Sequence, residues 1–276
     1  MPELPEVETV MRGLSAVLIG RSFTSIELRR KDLRFPLPKN MERVLRGQPI
    51  TSLARRAKYI LINFANEQSL IVHLGMSGRM VIDDGKSNVQ KHDHVIFRTN
   101  KNHSIRFNDP RRFGMMDIVA TSKTNTHKLL KHLGPEPLDA AFTGEALFAK
   151  LKPKKVAVKL AIMDQRVVVG VGNIYACEAL YAAGIHPARP ANKVTLSECT
   201  ALVAAIKAVL KRAIAKGGST LRDYVQADGE LGYFQHEFMV YGREGEACKD
   251  CTHKSKTIQR ITQGGRSTFF CPVKQK

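Results

Sequence analysis

Residues 132–142 read HLGPEPLDAAF, and the chain on the two sides of that break follows two different periodicities. Before it, short runs rich in β-branched and aromatic residues (SFTSIEL, KYILINF, SLIVHLGM, HVIFRT, HSIRFN) are separated by Asn, Asp, Gly and Lys clusters, the pattern of antiparallel strands joined by turns. After it, residues 143–216 are rich in Ala, Leu, Lys and Val. There SECTALVAAIKAVLKRAIAK places Leu202, Val203, Ile206, Val209, Leu210 and Ile214 on one helical face, behind a Ser197 cap and ahead of Gly217 and Gly218. Side chains alternate faces in a strand but recur every three to four residues in a helix, so one element type cannot serve both halves. Gly134, Pro135 and Pro137 interrupt either pattern. The expectation is an α+β chain with an antiparallel sandwich or barrel at 1–133, a helical part at 134–240 and a cysteine-bearing tail at 241–276.

The first ten residues, MPELPEVETV, put two prolines and three glutamates where a terminus usually frays. Val7, Val10, Met11, Leu14 and Leu18 recur at helical spacing, with Pro5 suited to the first turn and Gly20 to the end, which predicts an amphipathic helix. The two acids suit the helix dipole, and on that ground alone PELPE is a capped helix start. At 276 residues the chain can build two cores. Its 44 Lys and Arg against 25 Asp and Glu leave a net charge of +19, which points to a polyanionic partner, nucleic acid ahead of an anionic membrane or a merely basic surface. No run reaches the roughly 18 apolar residues of a membrane span. The first apolar stretch also lacks the basic start of a secretory signal. The chain reads as cytoplasmic, nucleoid-associated and monomeric.

Five cysteines, three of them near the end, suit a reduced compartment and a metal better than a disulfide framework. Cys248 and Cys251 have the spacing that presents two thiolates to a tetrahedral Zn²⁺, and Cys271 follows after a hairpin-like segment with Gly264 and Gly265 at its turn. A fourth ligand belongs at 274, where Lys274 stands; His253, a water or a metal-free hairpin of buried thiols are the alternatives. Gly170 and Gly172 in VVVGVGNIYACEAL lack a βαβ context, so they mark a turn at a helix N-terminus. There Asn173 and free backbone N–H groups suit a phosphate, or the turn simply lets helices pack. KHDHV sets two histidines on one strand face, as a polar core or a DNA-facing pair. NDPRRFG is a solvated turn, or a loop in which Phe113 is a wedge between bases and Arg111 a donor. RRAKYI, with Lys58, is a basic strand edge or a phosphate clamp.

PELPE, RRAKYI, HLGMSGR, KHDHV, DPRRFG, LGPEPL, VVVGVGNIYACEAL, KGGSTLRDY, GYFQHEFMVYGREG and GGRSTFFCP run in this order over almost the whole chain. Together they resemble the formamidopyrimidine-DNA glycosylases, in the wider family that includes endonuclease VIII. Leu4 favours the purine-specific branch, since endonuclease VIII typically has Gly there. The resemblance implies an N-terminal antiparallel β-sandwich with flanking helices, a C-terminal helix-two-turns-helix module and a zinc-finger-like β-hairpin, with DNA between the halves. It implies a base-excision-repair DNA glycosylase and AP lyase that removes 8-oxoguanine and formamidopyrimidines from duplex DNA, and that also takes abasic sites. Carried over by position, Pro2 is the nucleophile once Met1 is removed, Glu3 the acid at the sugar and Glu6 a supporting carboxylate. Lys58, Asn173 and Arg266 grip the phosphates around the lesion, Lys58 and Arg266 as part of the catalytic set. Met76, Arg111 and Phe113 fill the gap left by the flipped nucleotide. His73, His94, Lys159 and Tyr241 complete the DNA-binding set, and Ser219, Thr220, Arg222 and Tyr224 belong to a loop that closes over the extruded base. One structural Zn²⁺ on Cys248, Cys251 and Cys271 is implied as well. Lys274 and the nineteen residues between Cys251 and Cys271 depart from the family pattern.

The implied chemistry is sound. A terminal α-amine, with a pKa of about 7.7 to 8, is far closer to its nucleophilic form at neutral pH than a lysine near 10.4. Attack on the deoxyribose C1′ gives a Schiff-base iminium, which acidifies the 2′ hydrogen and drives β- and then δ-elimination of the phosphates. Two readings compete: an endonuclease VIII-like enzyme for oxidised pyrimidines, opposed by the Met76, Arg111 and Phe113 set, and a DNA-binding protein without chemistry, opposed by the intact Pro2 and Glu3.

Overall fold

A computed structural model of the chain describes residues 2–85, 88–101, 103–220, 227, 232–251 and 257–276. The chain divides into two compact units, residues 1–131 together with 216–233, and residues 132–215 together with 234–276.

In the first unit, helix α1 (Leu4–Leu18) has Pro5, a residue whose fixed φ suits a first turn, as its second residue and stops before Gly20, which lies in the left-handed region at φ +75°. Of the face that the spacing predicted, Val7, Val10, Leu14 and Leu18 are buried and Met11 is partly buried. Strand β1 (Phe23–Leu28) and a short helix α2 (Met41–Leu45) follow. Then come β2 (Ile50–Arg56), β3 (Tyr59–Phe64), β4 (Gln68–His73), β5 (Arg79–Asp83), β6 (Asp93–Thr99), β7 (Ser104–Asn108) and β8 (Met115–Ala120). They form two four-stranded antiparallel sheets, ordered β1-β6-β7-β5 and β2-β3-β4-β8. Phe23, Phe97, Ile105 and Phe107 of one sheet and Ile60, Ile62, Leu70 and Val72 of the other share a single core with the α1 face. This is the predicted sandwich with flanking helices. Three strands lacked a readable signature: β2, β5 and β8 carry Arg, Asp and Met among few β-branched residues.

The second unit is built on helices α3 (Gly144–Leu151), α4 (Val158–Met163), α5 (Asn173–Ala182) and α6 (Leu196–Ala215), with a hairpin of β9 (Gln259–Gln263) and β10 (Arg266–Phe270). Helix α6 buries Leu202, Val203, Ile206, Val209 and Leu210, but Ser197 is not its cap. Thr195 is, two residues earlier: its hydroxyl accepts from the Glu198 N–H at 3.3 Å while the Glu198 carboxylate takes the Thr195 N–H at 2.8 Å, a reciprocal pair. Gly264 and Gly265, at φ +55° and +71°, make the two-residue turn that joins β9 to β10. Among the described residues no helix is long and apolar enough to cross a membrane.

Candidate active site

In the first unit the N-terminal end is enclosed. Pro2 is buried, and Glu3 and Glu6 are each 2% exposed at the first turn of α1. One carboxylate organises the region: Glu6 Oε2 accepts the Glu3 N–H at 2.8 Å, and Glu6 Oε1 accepts the N–H of Ser219, 213 residues further on, at 2.8 Å. Gly218 lies at φ +82°, and a Cβ there would stand 3.0 Å from the Glu6 side chain, so the approach of the two segments requires glycine. Thr220 Oγ1 accepts the Gly232 N–H at 2.8 Å, and the Tyr233 N–H reaches Lys216 O, closing the stem of the segment between them. Arg222 and Tyr224 lie outside the described residues.

Lys58 sits in the β2–β3 turn rather than on a strand, next to Ala57 at φ +54°. That turn is tied to α1: Arg55 Nε meets Glu8 Oε2 at 2.7 Å with both side chains about nine-tenths buried, and Arg55 Nη1 donates to Ala57 O at 3.1 Å. The helix that carries Glu3 and Glu6 therefore also fixes the loop that carries Lys58. Around His73 the field is cationic. Burial first, then Lys58 and Arg34, lower its pKa to about 4, so the ring is neutral at neutral pH. Its Nδ1 accepts the Gly75 N–H at 2.9 Å, which puts the proton on Nε2. Tyr59 packs on that ring at 4.7 Å, and burial raises its hydroxyl pKa. Arg34 and Tyr59 escaped the sequence reading; Arg34 comes from a loop whose N–H bonds Gly114 O, a contact no local pattern encodes.

Met76 is half-buried, whereas Arg111 and Phe113 are exposed, with the Arg111 guanidinium 5.0 Å over the Phe113 ring. His94 is placed inside. It is 5% exposed, and its Nε2 donates to Asp109 O at 2.9 Å, so the ring braces the loop that carries Arg111 and is not itself at the surface.

In the second unit, α5 begins at Asn173 behind Gly170, at φ +79°, and Gly172. Asn173 is half-buried; Lys159 is completely buried, which removes it from direct contact with a ligand. The Lys159 Nζ instead donates to Asn173 Oδ1 and Thr268 Oγ1, both at 2.6 Å, and Asn173 Nδ2 donates to Ser267 O at 2.9 Å. The ammonium thus orients the amide and ties α4 to the hairpin. Arg266 is exposed at the start of β10, and the Tyr241 ring stands edge-on to Phe269 at 5.1 Å. Glu178, another residue without a sequence signal, is buried and accepts the N–H groups of Met239, Val240 and Tyr241 at 2.8 to 3.0 Å.

The sulfurs of Cys248, Cys251 and Cys271 lie within 4.8 Å of one another. Bonds of about 2.3 Å to a tetrahedral zinc would put its sulfurs roughly 3.8 Å apart, so the three thiols fit one face of such a site. Lys274 does not supply the fourth corner. Its ammonium ion-pairs with Asp250 and stands 4.2 Å over the Tyr181 ring. His253 lies outside the described residues.

Residues 1–116 match the family described as "Formamidopyrimidine-DNA glycosylase N-terminal domain", and residues 133–225 match "Formamidopyrimidine-DNA glycosylase H2TH domain". A Paracoccus denitrificans protein named formamidopyrimidine-DNA glycosylase is 53% identical over the full length of both chains. The chain belongs to the formamidopyrimidine-DNA glycosylase family. It is a DNA-repair glycosylase and AP lyase of that family, and the sandwich, helical module and hairpin are the family's fold. A Lactococcus lactis member, solved as a variant with a Fapy-dG containing DNA, superposes with a TM-score of 0.92 at 34% identity, all of both chains being covered. The same organism's protein with an abasic site containing DNA gives 0.90 at 33% identity over 99% of each chain.

Proposed function

We propose that the chain removes 8-oxoguanine and formamidopyrimidines from duplex DNA and cleaves the resulting abasic site through a Schiff base on Pro2. The observation that carries this reading is the Glu6 carboxylate, which holds the Glu3 N–H and the Ser219 N–H at 2.8 Å each and so joins the buried chain end to the stem of the segment that would cover an extruded base. In that reading the Pro2 amine attacks C1′, Glu3 protonates the sugar oxygen as the ring opens, and Glu6 keeps both in register. The C–N bond to the base breaks, the base leaves with a proton, and the iminium then loses the 2′ proton with the 3′ phosphate, followed by the 5′ phosphate. Lys58 and neutral His73 in the first unit, and Asn173, Tyr241 and Arg266 in the second, are the phosphate contacts. Met76, Arg111 and Phe113 occupy the vacated stack. Parts 1–133, 134–240 and 241–276 then serve as catalytic, DNA-gripping and finger segments of a monomer working in the cytoplasm on nucleoid DNA. Zinc is the metal we assign to Cys248, Cys251 and Cys271; bound there it would cross-link the hairpin that carries Arg266.

Borohydride trapping on duplexes carrying 8-oxoguanine, an oxidised pyrimidine or no lesion tests the assignment. The expected result is an adduct on the 8-oxoguanine duplex that Pro2→Gly or an unprocessed Met1 abolishes while DNA binding persists. An adduct with uncleaved Met1 sinks the Pro2 assignment, and faster turnover of the pyrimidine duplex moves the chain to the pyrimidine branch. Metal analysis should give about one zinc per folded chain; none in active protein removes the zinc assignment.

A further inference from the structure

Met76 on one loop, and Arg111 and Phe113 on another, must reach the same gap in a base stack if they act together. Nothing in the spacing of their motifs fixes one loop against the other. The structure places a single completely buried carboxylate, Asp109, between them. Its Oδ1 accepts the Ser77 hydroxyl at 2.7 Å, and its Oδ2 accepts the Gly114 N–H at 2.8 Å. Ser77 passes the connection on, its Oγ accepting the Arg111 N–H at 3.2 Å. The Asp109 carbonyl takes the His94 Nε2–H at 2.9 Å, and its N–H goes to His92 O at 3.0 Å, so the anchor is itself seated on strand β6.

The packing is as tight as the hydrogen bonding. A Cβ at Gly75, which lies at φ +65°, would fall 2.4 Å from the Phe113 carbonyl carbon, and one at Gly114 would fall 2.4 Å from the Phe107 ring and 3.1 Å from Asp109. The bond to Gly114 is local and would serve any tight turn. The bond to Ser77 spans 32 residues and joins the residue directly after Met76 to the loop of Arg111 and Phe113.

We propose that Asp109 and Ser77 are positioning residues that preset Met76, Arg111 and Phe113 as one rigid probe before DNA arrives. The inference rests on the function proposed above. A carboxylate is required because both oxygens face donors; asparagine would turn its NH₂ group toward one of them. Presetting matters because the conformational freedom lost by three free side chains on binding would otherwise be subtracted from recognition.

The test compares two substrates. Attack on an abasic site in single-stranded DNA leaves no partner strand to fill, whereas excision of 8-oxoguanine from a duplex requires the gap to be occupied. Ser77→Ala should lower single-turnover excision from the duplex by about tenfold or more, the scale on which misplaced groups act, and shrink the fluorescence change of a 2-aminopurine opposite the lesion. It should leave the trapped adduct on single-stranded abasic DNA within about twofold of wild type, and Ser77→Thr should restore the duplex rate. Asp109→Asn should go the same way and further. Wild-type excision by Ser77→Ala, or equal loss on both substrates, overturns the inference. If the wild-type chain itself traps nothing, the function proposed above fails. The 2-aminopurine signal on binding then still decides the positioning role, an unchanged signal in Ser77→Ala refuting it.

Discussion

Glu6 in the first unit and Glu178 in the second are each 2% exposed, and each carboxylate accepts backbone N–H groups, at least one of them from a distant stretch of chain. Their surroundings differ. Glu178 stands among Cys177, Tyr181 and Val240, holds three consecutive N–H groups, and has its carboxyl pKa raised by burial in spite of those bonds. Glu6 holds two N–H groups at the opening of a helix, beside Glu3 and the Pro2 end and against a glycine that leaves no room for a methyl group. The same side chain makes a staple when it is walled in by apolar groups. It joins a helix start to a loop stem when its partners are the Glu3 and Ser219 N–H groups.

Breaking the staple should have the largest effect on stability. Glu178→Ala strands three buried donors at about 1 to 3 kcal/mol each, so we expect a loss of roughly 3 to 5 kcal/mol after relaxation. Urea unfolding followed by helical circular dichroism checks it; an unchanged midpoint would mean water replaces the carboxylate and the two sites are not comparable. Glu6→Gln keeps one acceptor oxygen and should cost only about 1 kcal/mol, yet slow adduct formation about a hundredfold, the usual weight of a lost acid–base group. Equal losses in stability and rate would make Glu6 a second staple.

The smallest effect, a pH response of opposite sign in the two units, sharpens the comparison most. His73 is held neutral with its pKa lowered to about 4 from 6.5, so the unfolded chain binds more protons between those values, and the contribution of His73 to stability is lost as pH falls from 6.5 towards 4. Glu178 is raised above 4.5, so its contribution is full below that value and is lost as pH rises through its folded pKa. Amide exchange at pH 6.5 and 4.5 should show protection falling in β3 and β4 but not at 239–241, and His73→Gln should remove the fall. A uniform change across both units would contradict these assignments.

Most of the elements were legible because burial writes periodicity into sequence. The α1 face and the apolar face of α6 follow helical spacing, and β3, β4, β6 and β7 are dense in β-branched and aromatic residues. Thr195 was missed in favour of Ser197 because both are good caps and only Glu198 distinguishes them. Within the site, the motif residues were visible as types. KHDHV left a polar core and a DNA-facing pair both open, and the resemblance put His94 and Lys159 in the DNA-binding set; that both are buried is not a local property of the sequence.

The succession of a β-rich part, a helical part and a three-cysteine tail, and the basic character, were determined by the sequence alone, since each depends on residue type and on spacing over fewer than about thirty positions. What only the tertiary structure decided is which distant groups share a bond. Ser219 with Glu6, Ser77 with Asp109, Arg55 with Glu8 and Lys159 with Asn173 and Thr268 are pairings of buried polar groups. A buried polar group must be paired, but its own stretch of chain does not say with what. The packing of the apolar core chooses the partner, and that choice separates a half-buried side chain such as Asn173 from the buried one, Lys159, that holds it in place.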